Sequence, residues 1–454
     1  MQRLIAERLS RLQITNARMA IVFVAATGIC LAMAPILPSA PWLLPIGLLI
    51  ACTVTAIWTV PRQHQRLLAA ITVAVVLCQL VVMLTRLGYD PAGPTFWYDD
   101  REYFAQSAAV ADAWKANIFP DITRKGSQPY FLGTLHTGYH RSLASAFYVF
   151  GTKPLAGLFL NLLSAAVLPL FCYLLALDLR LRVNSSAAAI AAGLAALHPT
   201  QLYWSQFLLK DLYLAAWFVA SLWLLVRMFQ RRDVAAGLAF LAATYVLYTI
   251  RVYCAASLLV AAIAYLAAQL PRRVAWTVFA ATALIITMTA LYTDRGAARF
   301  NQMWSSLVEL GPKSVRSPWD VPGHLLAGIP RLMLGPFAWL AGRGDRPLYG
   351  LYPGMWFMYL LVYPAAIVAF VYSLRQNVKV AALPIMAGIG GALILLTASY
   401  GGDAPRQRYY MEYICIAFAA YGWTLPKRQI FIGYYAVLAT YIIGQVITVK
   451  IRGL

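Results

Sequence analysis

A dense group of charged residues lies near residue 100, in the run Trp97-Tyr98-Asp99-Asp100-Arg101-Glu102-Tyr103-Phe104. It brings three carboxylates and an arginine together in a chain of which only 12% is charged. A carboxylate can take the proton of a hydroxyl group as a general base, bind a divalent cation, or stabilise the first turn of a helix. The spacing of Asp99 and Glu102 also resembles a capping box, which favours the last, purely structural interpretation. Which of these roles applies depends on the rest of the sequence.

The composition indicates an integral membrane protein. Of the 454 residues 61% are hydrophobic, and the mean hydropathy is +0.68. Apolar runs of about 20 residues, the length of a membrane-spanning helix, recur along the chain. We therefore predict an all-α polytopic membrane protein with about 13 transmembrane helices, folded as one transmembrane domain over residues 1–454. The predicted spans are 19–37, 42–60, 67–86, 155–177, 184–198, 211–227, 234–250, 252–270, 274–292, 351–374, 380–399, 410–425 and 430–449.

Basic residues set the predicted orientation. Four arginines (Arg3, Arg8, Arg11 and Arg18) precede the first span, so the positive-inside rule places the N-terminus in the cytoplasm. Much of the formal charge of +21 then falls in cytoplasmic loops, where it needs no nucleic acid to explain it. We expect no nucleic-acid partner.

Two long loops then lie on the outer face, at about 87–153 and 293–350. We expect both to carry interfacial helices, and no separate soluble domain. In the first loop Tyr103, Ser107 and Trp114 recur at helical spacing and predict a short helix over 100–116.

Several charged residues fall at the outer membrane edge in this topology. Lys210-Asp211 opens one span, Arg251 separates two apolar runs, and Arg406 and Arg408 join two further spans. Ionisable groups near a membrane core are costly and usually face a cavity or a partner. Arginines and a lysine on one face suit a lipid-linked phosphate, which arginine binds through two parallel hydrogen bonds.

These residues resemble the polytopic glycosyltransferases of the GT-C fold, in particular the bacterial family 39-like relatives of protein mannosyltransferases and aminoarabinose lipid A transferases. The resemblance covers roughly residues 85–425. The chain differs from the family pattern in two extra early spans and in the lack of a C-terminal soluble domain. The matching motifs are Asp99-x-x-x-Tyr103, Gly126-Ser127-Gln128-Pro129-Tyr130-Phe131, His198-Pro199-Thr200 through Lys210-Asp211, Arg251, and Arg406-x-Arg408-Tyr409.

The resemblance implies an inverting transfer of a sugar from a polyprenyl-phosphate carrier to a lipid or glycan acceptor. It implies Asp99 as the base, with Asp100 and Glu102 as alternatives. The location would be the outer face of the bacterial inner membrane, where a carrier lipid replaces nucleotide sugars as the donor. The phosphate-binding candidates are Lys210, Arg251, Arg406 and Arg408, and the substrate-binding candidates are Arg124, Lys125, Tyr103 and His136.

A metal ion is left open by the sequence. Adjacent Asp99 and Asp100 are suited to hold Mg²⁺ or Mn²⁺ through oxygen ligands, although some relatives in the GT-C group work without an ion. His136 and His140 have the spacing of metal ligands on a helix, but Gly138 between them disfavours a helix and no third ligand is nearby. No other cofactor is expected.

Two other function classes compete with the transferase. An O-antigen-type polymerase or ligase of lipid-linked glycans would rely on later residues such as Arg316, His324 and Arg331. A lipid transporter would need charges at mid-membrane and typically two similar halves, neither of which the sequence displays. The early acidic residues favour the transferase.

Overall fold

The structure is a computed structural model that describes residues 60–89, 98–116, 137–181, 185–271, 352–376, 378–399, 408–425 and 428–451, and isolated positions at 46, 49, 50, 53, 54, 56, 57, 118, 274 and 277. Within these residues the regular structure is entirely helical, as predicted, and contains no strand. The chain divides into two compact units, Met1–Ala255 and Ala256–Leu454. The single transmembrane domain stays a prediction.

The first unit contains eight described helices and the first residues of a ninth, most of which belongs to the second unit. They are α1 (Arg62–Tyr89), α2 (Tyr98–Lys115), α3 (Thr137–Phe150), α4 (Pro154–Leu179), α5 (Ser185–Ala196), α6 (Pro199–Trp204), α7 (Asp211–Arg231), α8 (Val234–Ile250) and α9 (Val252–Ala267). Within the unit α7 packs between α4 and α8, α1 and α5 pack on α4, and α2 packs on α3.

Among the described residues of the second unit the helices are α10 (Tyr352–Phe357), α11 (Tyr363–Arg375), α12 (Ala382–Ser399), α13 (Tyr409–Gly422) and α14 (Arg428–Ile451). A π-helical turn, Met358–Val362, joins α10 to α11, and a 3₁₀ turn, Lys379–Ala381, precedes α12. Within this unit α11 packs on α13 and α14, and Gly422 of α13 meets the backbone of Ala365 so closely that a side chain there would collide with it.

Four helices in the described part of the chain are long and apolar enough to cross a membrane: α1, α4, α7 and the stretch Pro353–Arg375. Helices α5, α8, α9, α12, α13 and α14 coincide with other predicted spans. The spans at 19–37 and 274–292, and most of 42–60, lie outside the described residues, as does the second long loop. A helical membrane protein is thus supported, whereas the total of about 13 spans is not confirmed.

The surface of α8 illustrates this membrane character. Val234, Leu238, Leu241 and Tyr245 are exposed at the spacing of one helix face, while the opposite face is buried. A helix on the surface of a soluble protein has polar residues on its outward face. Apolar side chains on both faces fit a helix that packs on protein on one side and on lipid on the other.

Helix α7 is the buried centre of the first unit. The share of its apolar stretch that is buried is 89%, which is the highest value among the four membrane-length helices. At about 1.5 Å per residue its 21 residues extend about 30 Å, the thickness of a hydrocarbon core. Asp211 in its first turn and Arg231 in its last turn both complement the helix dipole.

A buried ionic cluster closes the Arg231 end of α7, and we call Asp178, Trp223, Arg227, Arg231 and Asp233 the Asp178 cluster. Arg231 donates to Asp178 with Nε at 2.9 Å, and the indole Nε1 of Trp223 donates to the same carboxylate at 3.0 Å. Arg227, itself 1% exposed, donates to Asp233 at 3.0 Å. Asp233 in turn caps α8 by accepting from the backbone N–H of Ala236 at 3.1 Å. These bonds tie the ends of α4, α7 and α8 together.

The π-helical turn has a local cause. Pro364 carries no N–H, so it cannot donate to the carbonyl of Leu360 one turn earlier. That carbonyl accepts from the Tyr435 hydroxyl at 2.6 Å, and the next one, Leu361, accepts from the Trp423 indole at 3.0 Å. Side chains of α14 and of the residue that follows α13 thus supply hydrogen bonds to the carbonyls of this turn, as irregular backbone at membrane depth requires.

Candidate active site

The acidic run begins helix α2, so the predicted helix over 100–116 is confirmed. Because α2 starts at Tyr98, Asp99 and Asp100 both lie in the first turn, where carboxylates complement the helix dipole. Glu102 does not close a capping box. It is exposed and accepts a hydrogen bond from Gln106 at 2.8 Å.

Burial separates the three candidate carboxylates. Asp100 is fully buried, Asp99 is partly exposed and Glu102 is exposed. Asp100, Tyr103 and Ser107 follow one another at helical spacing, and all three belong to the buried face of α2. Both Asp99 and Asp100 lie about one turn before the predicted substrate-binding residue Tyr103, but only Asp100 is buried with it.

Tyr103 contacts Lys210 and His140, and His140 contacts Ser107. Asp100 lies one turn before Tyr103 on the buried face of α2. We call these five residues the Tyr103 cluster. Lys210 Nζ donates a hydrogen bond to the Tyr103 hydroxyl and lies 4.7 Å from the centroid of its ring. The His140 ring meets the Tyr103 ring edge-on, with centroids 4.9 Å apart. The cluster thus joins α2, α3 and the start of α7.

The sequence indicated His140 only as a metal-ligand candidate together with His136, which lies outside the described residues. Its Nδ1 lies 3.3 Å from the Ser107 hydroxyl, and the residue is buried. Burial, with a further contribution from the positive charge of Lys210, lowers the pKa of His140 to about 3. The imidazole is therefore neutral at physiological pH, and it serves this cluster as a hydrogen-bonding group and not as a cation.

Gly138 explains why α3 lies where it does. A side chain at this position would collide with Thr249, near the end of α8. The glycine that argued against a helix in the sequence is thus inside one, because it allows α3 and α8 to approach closely. This contact places the start of α3 beside the break at Arg251.

A buried irregular segment, residues 205–210, positions Lys210. It links α6 to α7, and the Asn161 amide of α4 donates to the carbonyls of Ser205 at 3.4 Å and Phe207 at 2.5 Å. Gly157 leaves room for Leu208 of this segment against α4. Irregular backbone within a membrane protein is tolerated where protein or a water-filled cavity surrounds it. Asn161 supplies that support.

Arg251 occupies the break between α8 and α9, as the sequence indicated, with extended backbone angles. Its Nη1 donates to the Tyr253 hydroxyl at 2.7 Å. Tyr253 also interacts electrostatically with Asp211, the neighbour of Lys210. Lys210 and Arg251 are therefore in one neighbourhood of the first unit.

Arg408 belongs to the second unit and is buried at the start of α13. It donates to Glu412, one turn later, at 2.9 Å. Burial alone lowers the pKa of the guanidinium, but Tyr363 and Glu412 outweigh burial, so the pKa is raised and Arg408 is charged. Because the side chain is buried, a role in contacting anionic lipid headgroups does not fit Arg408. Its predicted phosphate contact stays a prediction.

Four predicted site residues, Arg124, Lys125, His136 and Arg406, lie outside the described residues, as do Arg316, His324 and Arg331 of the alternative function. The part of the chain that the structure describes contains no group of three or more metal-ligating side chains. An ion held by Asp99 and Asp100 would need further ligands from the substrate or from other parts of the chain.

Comparisons with protein-family models, with curated proteins and with solved structures find no match to this chain. The candidate site therefore rests on its own geometry. That geometry is a buried carboxylate and a buried ammonium group beside one tyrosine, at one end of a membrane-length helix.

Proposed function

We propose that the protein is an inverting glycosyltransferase that moves a sugar from a polyprenyl-phosphate carrier to a hydroxyl group of a lipid or glycan. The observation that carries the proposal is the Tyr103 cluster, in which buried Lys210 at one end of α7 contacts Tyr103 and buried Asp100 lies one turn before Tyr103 on α2. A base for the acceptor and a cation for the leaving phosphate are the two groups that this reaction needs.

In the proposed reaction a carboxylate of α2 takes the proton of the acceptor hydroxyl. The hydroxyl oxygen then forms a bond to the anomeric carbon from the face opposite the phosphate. The bond between that carbon and the phosphate oxygen breaks, and the polyprenyl phosphate leaves with the electron pair. The anomeric configuration is therefore inverted, and the proton passes from the carboxylate to water.

Asp100 is our first candidate for the base, with Asp99 as the alternative favoured by the motif. Asp100 is fully buried one turn before Tyr103, which contacts Lys210, whereas Asp99, also about one turn before Tyr103, is partly exposed. Lys210 and Arg251 would stabilise the negative charge that develops on the phosphate. Because phosphate is a good leaving group, no strong general acid is required.

We further propose that the Lys210 end of α7 faces the outside of a bacterial inner membrane and that the Asp178 cluster faces the cytoplasm. The arginines of that cluster agree with the positive-inside rule. Nucleotide sugars are absent outside the membrane, so a carrier lipid is the donor class that fits this side.

The test is transfer in proteoliposomes supplied with a mixture of polyprenyl-phosphate sugars and membrane lipids, with mass spectrometry of donors and products. We expect glycosylated lipid from the wild type and none from the double variant Asp99→Asn/Asp100→Asn. Removal of divalent ions by EDTA decides in the same assay whether Mg²⁺ or Mn²⁺ is needed. Equal transfer by wild type and double variant would refute the carboxylate base and favour the polymerase or ligase.

A further inference from the structure

Arg86 is a cation that the proposed mechanism does not use. It lies in the last turn of α1, where the buried residues Val75, Gln79 and Met83 follow one face of the helix. Arg86 comes three residues after Met83 and seven after Gln79, so it continues the buried face. The apolar stripe of Leu77, Val81 and Leu84 is instead exposed. Arg86 is therefore directed toward the rest of the unit at the end of a membrane-length helix.

The contact of Arg86 is with the segment that carries Lys210. Its guanidinium carbon lies 4.1 Å from the centroid of the Phe207 ring, three residues before Lys210. A guanidinium stacked on a ring keeps its N–H groups in its own plane, and that edge is the part which binds phosphate with two parallel hydrogen bonds.

Phe207 is held in place independently of Arg86. Its carbonyl accepts from Asn161, and its ring contacts Tyr203 and Trp204 with centroids 5.1 Å and 6.5 Å apart. The ring thus presents a fixed surface for Arg86. Arg86 contacts the same short, buried segment, residues 205–210, that ends with Lys210.

Among the four described helices of membrane length, α1 has the smallest buried share. Only 22% of its apolar stretch is buried, compared with 78% for α4 and 89% for α7. Among the residues that the structure describes, little covers the apolar face of α1, so an apolar chain dissolved in the bilayer would meet the first unit there. A charged headgroup on that chain would meet Arg86 at the end of the helix.

We propose that Arg86 is a further cation of the carrier-phosphate site, which binds the phosphate of a polyprenyl lipid as it arrives from the bilayer beside α1. The inference rests on the proposed function for the identity of the ligand. It adds a residue and a direction of approach that the catalytic cluster does not specify.

The test measures binding of undecaprenyl phosphate, without sugar or acceptor, to the purified protein in lipid nanodiscs by native mass spectrometry. We expect Arg86→Gln to weaken binding by about tenfold or more, the usual effect of losing a charged hydrogen bond. The affinity of Arg86→Lys should lie between those of the wild type and Arg86→Gln, because lysine keeps the charge and loses the planar guanidinium group. Arg66→Gln is the matched control, since it removes an exposed arginine from the other end of α1.

A purely structural role of Arg86 makes a different prediction. It would lower the melting temperature of Arg86→Gln and would weaken binding of uncharged undecaprenol as much as binding of the phosphate. That result, or unchanged phosphate binding by Arg86→Gln, would overturn the inference. Phe207→Leu, which removes the ring and keeps the charge, should weaken phosphate binding less than Arg86→Gln.

The outcomes separate this inference from the proposed function. If the wild type binds undecaprenyl phosphate through Arg86 and transfers no sugar, the phosphate site stands and the transferase does not. If the wild type transfers sugar and Arg86→Gln binds the phosphate normally, the transferase stands and the role of Arg86 is refuted.

Discussion

The two ends of helix α7 hold buried charges in different ways. At the Arg231 end, arginines and aspartates meet in carboxylate–guanidinium bonds, and Asp233 also caps the next helix. At the other end the Lys210 ammonium donates to a tyrosine hydroxyl, beside a neutral histidine and a serine. One helix thus carries an ionic cluster that joins helices and a mixed cluster of groups able to exchange protons and hydrogen bonds.

This difference indicates where binding energy for a ligand is available. Carboxylates and arginines that hydrogen-bond to one another fix the ends of helices, so they have little remaining hydrogen-bonding capacity for a substrate. Phenol, imidazole and hydroxyl groups can both donate and accept, so they can change partners when a ligand arrives. The comparison therefore predicts that substitutions at the Tyr103 cluster act mainly on activity and those at the Asp178 cluster mainly on stability.

The largest effect is expected for Asp100→Asn. The amide cannot take a proton, so sugar transfer should fall by about 10²-fold to 10⁴-fold, the usual contribution of a general base. Asp99→Asn should lose much less, and Asp112→Asn, an exposed acid on the same helix, should transfer sugar at the wild-type rate. Initial rates in proteoliposomes measure all three. A greater loss in Asp99→Asn than in Asp100→Asn would make Asp99 the base.

Asp178→Asn tests the other end of α7. It removes the charge that Arg231 and the Trp223 indole share, so the arginines of the Asp178 cluster lose a buried partner. Breaking such a pair costs about 3 kcal/mol or more of stability. We expect a lower melting temperature in detergent and an unchanged turnover per folded molecule. Lost turnover at unchanged stability would contradict the division between the two ends.

Lys210→Met sharpens the comparison from the catalytic side. Methionine keeps most of the length and removes the charge, so kcat/KM for the donor should fall by about 10²-fold, as when one preorganised donor is lost. Stability should change less than in Asp178→Asn, because a buried charge disappears together with its desolvation cost. Donor titrations and melting curves on the same preparation test both statements. A Lys210→Met protein with normal kcat/KM would remove Lys210 from the site.

The smallest effect is expected from His140 and depends on pH. Its pKa is about 3 in the folded protein and 6.5 in the unfolded chain, so between these values the unfolded state binds the extra proton. The free energy of unfolding is therefore unaffected by protonation of His140 above pH 6.5. It falls as the pH drops from 6.5 toward 3, and the loss is about 2 kcal/mol at pH 5. Melting temperatures at pH 7 and pH 5 should differ more for the wild type than for His140→Gln. Equal differences in the two proteins would show that His140 does not titrate in this way.

Much of the helical framework could be predicted from the apolar runs. The span at 234–250 coincides with α8, and the span at 211–227 identified α7 to within its last turn, because no charged residue lies in the interior of either span. The helix over 100–116 was also found by its spacing. One turn back from Tyr103 on that helix leads to both Asp99 and Asp100, so the spacing did not separate the two carboxylates and only their burial in the structure does.

The remaining contacts depend on packing between distant segments. Nothing in the sequence pairs His140 with Ser107, Asn161 with the carbonyl of Phe207, or Arg86 with its ring, since each pair is separated by more than thirty residues. Gly138 was misleading for the same reason. Its helix is stabilised by a close approach to Thr249 that only the tertiary structure reveals.

The π-helical turn of the second unit has a consequence for synthesis of the protein in the membrane. The carbonyls of Leu360 and Leu361 receive hydrogen bonds from Tyr435 and Trp423, which the ribosome produces more than sixty residues later. The nascent helix around Pro364 therefore enters the membrane before its own hydrogen-bond donors exist. Loss of the C-terminal helices would thus leave an incomplete helix upstream, and biogenesis of the second unit finishes only when its last helix is in place.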